Sequence, residues 1–210
     1  MFRSSLVLVA VLLLPISLAS ADIIYEFGQS NYNVSVGGTV DVEIFLSQND
    51  PLGTDPINLS MDGLASAGLR VFFNDTPPTD PAAVLSLADI APSALFDNMF
   101  VDATLDLVPG ESAAFADSVD FFSPPIPGPR ILLGTLRFTT GDIVGEVTNL
   151  RAARFDLSSN NTFAGDLAGT SLDGITGTGF ATITTTAAVP EPSSLALLAL
   201  ARLGVLIRRR

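Results

Sequence analysis

The stretch Thr39–Leu46, TVDVEIFL, restricts the possible folds of this chain more than any other. Val40, Val42, Ile44 and Leu46 fall on one side of an extended backbone, and Thr39, Asp41, Glu43 and Phe45 fall on the other. A period of two scatters apolar residues around a helix but collects them on one face of a strand. Such a strand needs backbone partners along its edges and a second layer over its apolar face. Gly37-Gly38 supplies a turn signal just ahead of it. Ile131–Thr139, ILLGTLRFT, reads as a second strand, with Leu132, Leu136 and Phe138 expected to share a face with Gly134. Weaker strands are expected at Ile23–Phe27, Tyr32–Val36, Leu69–Phe73, Ala103–Leu107, Glu146–Leu150, Ala153–Leu157 and Gly179–Thr186. Short strands punctuated by Gly, Pro, Asn and Asp imply an all-β fold, a single antiparallel β-sandwich over 22–188. Ala82–Ile90 and Ser112–Val119 are each assigned a helical turn or two, and Pro124–Pro129, PPIPGP, a surface loop inside the one domain.

Composition removes whole classes of chemistry. The 210 residues include no Cys, His, Trp or Lys, and all ten cations are arginines. No imidazole base, thiol nucleophile, haem ligand, disulfide or nitrogen–sulfur zinc site is possible. All 22 acids lie between Asp22 and Glu191, where the body keeps only Arg70, Arg130, Arg137, Arg151 and Arg154. A body of that charge repels phosphate backbones, so no nucleic-acid partner is expected.

The two ends read differently from the body. In Met1–Ala21, Arg3 precedes the apolar run Leu6–Leu14; Pro15 follows, and Ala19-Ser20-Ala21 gives a small-x-small cleavage pattern. These are the parts of a secretory signal helix, handled by the Sec machinery and removed by signal peptidase after Ala21. At the far end, 189–210 reads VPEPSSLALLALARLGVLIRRR. Leu195–Ile207, as a helix, spans only about 20 Å against a hydrocarbon core of about 30 Å. Arg202 interrupts it, at a cost of at least a few kcal/mol unless its side chain snorkels. Arg208, Arg209 and Arg210 hold the terminus on the cytoplasmic side. Pro190 and Pro192 keep the chain extended before the hydrophobic helix starts, leaving a strip that a membrane-embedded enzyme can grip. A handle of this sort is suited to a transient stay in the membrane.

This tail resembles the PEP-CTERM sorting tail of secreted bacterial proteins. The resemblance implies recognition by exosortase, an integral-membrane enzyme thought to act as a cysteine transpeptidase. Pro190, Glu191 and Pro192 would be the recognition motif, Leu195–Ile207 the transient membrane helix, and Arg208–Arg210 the stop. Arg202 departs from the apolar or small residues usual there. The body, through VGGTVDVEIFL, GLRVFF and LGTLRFTTG in that order, is similar to cohesin-like and carbohydrate-binding-module sandwiches. That resemblance implies a jelly-roll arrangement and binding to a sugar or a protein.

Candidate chemistry in the body is limited to oxygen. Asp41 and Glu43 share an exposed strand face about 7 Å apart, while Asp117 with Asp120 and Asp102 with Asp106 are spaced to converge on helical turns. A glycosidase needs two such carboxylates, but none of these pairs sits among aromatics that grip a sugar. No catalytic residue is assigned and the body is read as non-enzymatic. Calcium is the cofactor that Asn49, Asp50, Asp55 and Asp62, or Asp156, Asn160, Asn161 and Asp166, would bind, though neither loop has EF-hand spacing. Turn chemistry accounts for the same residues, and also for the formal sequons at Asn33, Asn58, Asn74 and Asn160. Tyr32 and Phe45 are the aromatics expected to be exposed for a glycan. The sequence therefore describes an exported, tail-sorted surface or matrix protein, with extracellular polysaccharide as a possible partner.

Overall fold

The computed structural model describes residues 22–49, 57–73, 82–96, 102–106, 111–120, 123–156 and 160–188. Both ends, with Ala19, Ala21, Pro190, Glu191, Pro192 and Arg208–Arg210, lie outside the described residues, as do Asp50, Asp55 and Asn74. Among the described residues the strands are β1 (Ile23–Phe27), β2 (Asn31–Ser35), β3 (Thr39–Gln48), β4 (Leu64–Phe73), β5 (Ile90–Pro92), β6 (Asp102–Asp106), β7 (Ser112–Ser118), β8 (Arg130–Thr139), β9 (Val147–Ala153), β10 (Phe163–Ala164) and β11 (Gly179–Thr186). They form two sheets, ordered β1-β3-β8-β5 and β2-β11-β9-β4-β7-β6, with β10 added to β4. Strand pairs are antiparallel, as expected, apart from β2 and β11, which run parallel. No helix among the described residues is long and apolar enough to cross a membrane.

The period-two segment behaves as its pattern requires. Val42, Ile44 and Leu46 are fully buried, while Asp41 and Glu43 are exposed. The opposing layer contributes Leu69, Val71 and Phe73 from β4, Phe115 from β7, Leu150 from β9 and Ile183 from β11. Phe73 and Phe138 meet edge to face, 5.3 Å between ring centroids, and tie the two sheets across the core. Each such fully buried side chain contributes about 1.5–3 kcal/mol from burial alone.

Three expectations need correction. Ser112–Val119 is not helical: Ala113 and Phe115 turn inward from β7, and the cross-sheet burial of Phe115 outweighs the helix propensity of an Ala-rich segment. Ala82–Ile90, by contrast, does hold one helical turn, a 3-10 turn at Leu87–Asp89 that leads into β5. Glu146–Leu150 and Ala153–Leu157 are not two strands; β9 occupies Val147–Ala153, and Arg154–Asp156 leave the sheet. In β8, Ile44 pairs with Gly134 and Phe45 with Leu132, so Leu133 is an extra residue. This bulge flips the side-chain parity: Ile131 and Leu133 are buried before it, Leu136 and Phe138 after it, and Leu132 is only half-buried.

Candidate functional site

One edge of β4 is shared in tandem. β9 pairs with its Arg70–Phe73 end and β10 with its start, through Phe163–Ser66 and Ala164–Leu64. Between them, residues 154–156 and 160–162 cross over the outside of β4, so Gly68 loses a strand neighbour there. Thr162 replaces it: its Oγ1 accepts from the Gly68 N–H at 3.1 Å and donates to the Gly68 carbonyl at 3.3 Å. The Tyr25 hydroxyl, from the other sheet, donates to the same carbonyl at 2.9 Å, and burial pushes that phenol well above its ordinary pKa. Asp173, 6% exposed, accepts from the Asn161 and Thr162 amides at 2.7 and 2.9 Å and pins the crossing segment in place. Gly68 has to be glycine because a Cβ there would lie 2.4 Å from Cβ of Asn161.

Beyond this crossing, the outer face of the larger sheet is open. Register places Phe180, Arg151, Phe72, Ser112 and Asp106 opposite one another in a row across β11, β9, β4, β7 and β6. At strand spacing the row extends about 19 Å. Arg151 lies over the Phe72 ring, 4.0 Å from its centroid, and Phe180 beside it is 68% exposed. Arg70 holds the wall: its Nε donates to the Phe155 carbonyl at 2.9 Å, and Nη1 reaches Asp106 and Ser112, each at 3.2 Å. Arg70, Phe72, Arg151, Arg154 and Phe155, with Asp156 as the one acid, surround a hollow of about 340 Å³. A second hollow of about 420 Å³ shares Arg151 and continues past Asn149, Phe180 and Thr182 to Ser30. Three of the body's five arginines thus gather on one hollow, and among the described residues Arg151 and Arg154 form no ion pair.

The structure disperses the other candidates. Asp41 and Glu43 do share an exposed face, but Asp41 is held in a fork by Arg137 at 2.7 and 3.0 Å, which keeps its carboxyl below the usual range. Asp102 and Asp106 sit at opposite ends of β6, about 13 Å apart by strand rise, and Asp117 and Asp120 lie on and beyond the end of β7. Neither pair converges on a helix. Asp102 and Asp117 instead line a common hollow with Asn160 and Asn161.

Of the proposed calcium donors, Asp62 accepts from the Asn58 N–H at 2.9 Å, while Asn58 caps the short helix α1 (Leu59–Asp62). Asp166 accepts from the Thr170 amide and hydroxyl, both at 2.7 Å; the amide first, then the hydroxyl, holds its carboxyl below the ordinary value. These acids fasten their own turns, and no group of three or more Asp or Glu gathers among the described residues. Asn33 lies in a strand, so turn chemistry does not explain that sequon.

The two aromatics expected to face a glycan do not. Tyr32 is buried, its oxygen accepting from the Gln29 N–H at 3.1 Å, and the Phe45 ring is covered by Arg130 at 3.5 Å. Phe180 is instead the exposed aromatic ring among the described residues. Its signal was present in GFATITTT, where alternation puts Phe180 on the face opposite Ala181 and Ile183.

Comparison with known proteins matches residues 188–210 to the PEP-CTERM protein-sorting motif. No curated protein matches the chain. Among solved structures, the seventh ScaB type I cohesin from Pseudobacteroides cellulosolvens is similar, at 14% identity and a TM-score of 0.52, over 80% of this chain and 96% of that one. A type I cohesin from a cohesin–dockerin complex of Clostridium thermocellum is similar at 12% identity and a TM-score of 0.51, over 76% of this chain and 99% of that one. The chain carries a PEP-CTERM protein-sorting motif at residues 188–210, and its body has a cohesin-like β-sandwich fold.

Proposed function

We propose that this is an exported, non-enzymatic protein of the cell surface or extracellular matrix, delivered through its C-terminal tail. The match of residues 188–210 to the sorting motif carries the reading. Residues 1–21 direct export and are removed after Ala21, leaving 22–188 as the sandwich and 189–210 as the sorting segment. Exosortase grips the extended Pro190-Glu191-Pro192 strip while the interrupted apolar run rests transiently in the inner membrane and Arg208–Arg210 stay behind. The sandwich and the sorting motif are both non-catalytic kinds of module, which agrees with carboxylates that are dispersed or engaged in turns. Deleting 189–210 while keeping the signal is expected to remove the protein from the surface fraction, as followed by immunoblot of fractionated cells. An unaltered distribution would overturn the reading.

The arginine–phenylalanine face favours a second role for the same body, that of a binding module. Arg and aromatic residues are enriched where binding energy concentrates, because both present large rigid surfaces. The compared Clostridium thermocellum cohesin is in complex with a dockerin, a protein partner. For this chain the role rests on the face itself.

A further inference from the structure

We infer that the two joined hollows on the outer face of the larger sheet bind a carboxylated polysaccharide. The inference deepens the binding-module role and rests on it. Residues 22–188 hold twenty-one acids against five arginines, yet three of those arginines surround one hollow. Arg70 is engaged by Asp106, Ser112 and the Phe155 carbonyl, which leaves Arg151 and Arg154 as the cations of the hollow with no ion pair among the described residues. Against the one carboxylate of the lining, Asp156, the two guanidiniums leave the hollow net positive, which complements a ligand carboxylate, and the planar fork favours carboxylates geometrically.

The continuation past Arg151 decides what bears the carboxylate. Phe180 offers an open ring face to the C–H side of a sugar, while Asn149, Thr182 and Ser30 offer amide and hydroxyl groups to its alcohols. Guanidinium, ring, amide and hydroxyl follow one another along a trough, and each hollow has the volume of a small-ligand subsite. An acidic peptide would use the arginines but would leave the Phe180 ring without a flat C–H partner and Asn149 and Ser30 without alcohols to bond. A sparsely charged sugar chain uses both halves.

The test titrates the full chain, held in mild detergent, with polygalacturonate, neutral dextran and poly-glutamate at low and physiological salt. Polygalacturonate is expected to bind, more weakly as salt rises, and to lose tenfold or more in affinity in Arg151→Ala and in Phe180→Ala. Both side chains lie on the outer face, so unchanged melting temperatures verify that folding is intact. Arg137→Ala, an arginine on the opposite sheet, is expected to leave binding as it was. Equal binding of dextran, poly-glutamate binding indifferent to Phe180, an equal loss in Arg137→Ala, or no binding of polygalacturonate would each overturn the inference. Surface retention in cells separates it from the role beneath it. If Arg151→Ala releases the protein from the surface while polygalacturonate fails to bind, the face has another partner and only the sugar assignment falls; if neither assay responds, both fall.

Discussion

Glu26 illustrates how single side chains set the acid response of this body. Burial alone would raise its pKa, but the Ser47 hydroxyl at 2.5 Å and the Arg130 guanidinium at 3.3 Å together outweigh burial and hold it below the ordinary value. A carboxyl depressed in the folded state stabilises the fold above its unfolded pKa, and the benefit disappears as pH falls through the folded value. Asp41 and Asp166 are depressed as well, so all three act in the same direction. Stability is therefore expected to be level from neutrality to about pH 5 and to decline below about pH 4. With its side chain 40% exposed, Glu26 contributes no more than about 1 kcal/mol. Melting temperatures of wild type and Glu26→Gln between pH 3 and 7 check this. The gap between them should close as the medium becomes acid, and a gap that widened would contradict the assignment.

At the scale of elements, the meeting of β7 and β8 decides how closely the sheets approach. Gly134 lies just past the β8 bulge, where an added Cβ would stand 2.5 Å from Cζ of Phe115 and 2.8 Å from the Ala91 carbonyl. Gly134→Ala is expected to cost about 1–3 kcal/mol in denaturant unfolding, because the obstruction includes backbone of β5. A neutral result would mean that the sheets separate without penalty. This same meeting marks the limit of what the sequence makes legible. Val42, Ile44 and Leu46 announce their strand because alternation alone expresses one-sided burial. Ser112–Ser118 conceals its strand because Ala serves helix and close-packed sheet alike, and only Phe115 across the core decides between them. The parity of Leu132 depends on a bulge that exists only opposite β3, so nothing local signals it. The arginine–phenylalanine face is hidden for a related reason. Phe72, Arg151 and Phe180 become neighbours only through strand register, whereas Arg208–Arg210 are contiguous and readable at once.

The whole molecule divides its labour between an acidic sandwich and two apolar ends. Its formal charge of −12 sets a negative field over the molecule, to which the arginine face forms a local exception. With no Cys for a disulfide, tertiary stability rests on a continuous core that joins both sheets. The account depends on the tail's being a handle that is surrendered during delivery. Mass spectrometry of the protein recovered from outside the cell measures this most directly. A mature C-terminus at or before the Pro190–Pro192 strip, with a mature N-terminus at Asp22, is the outcome the account requires; recovered protein still ending in Arg208-Arg209-Arg210 would contradict it.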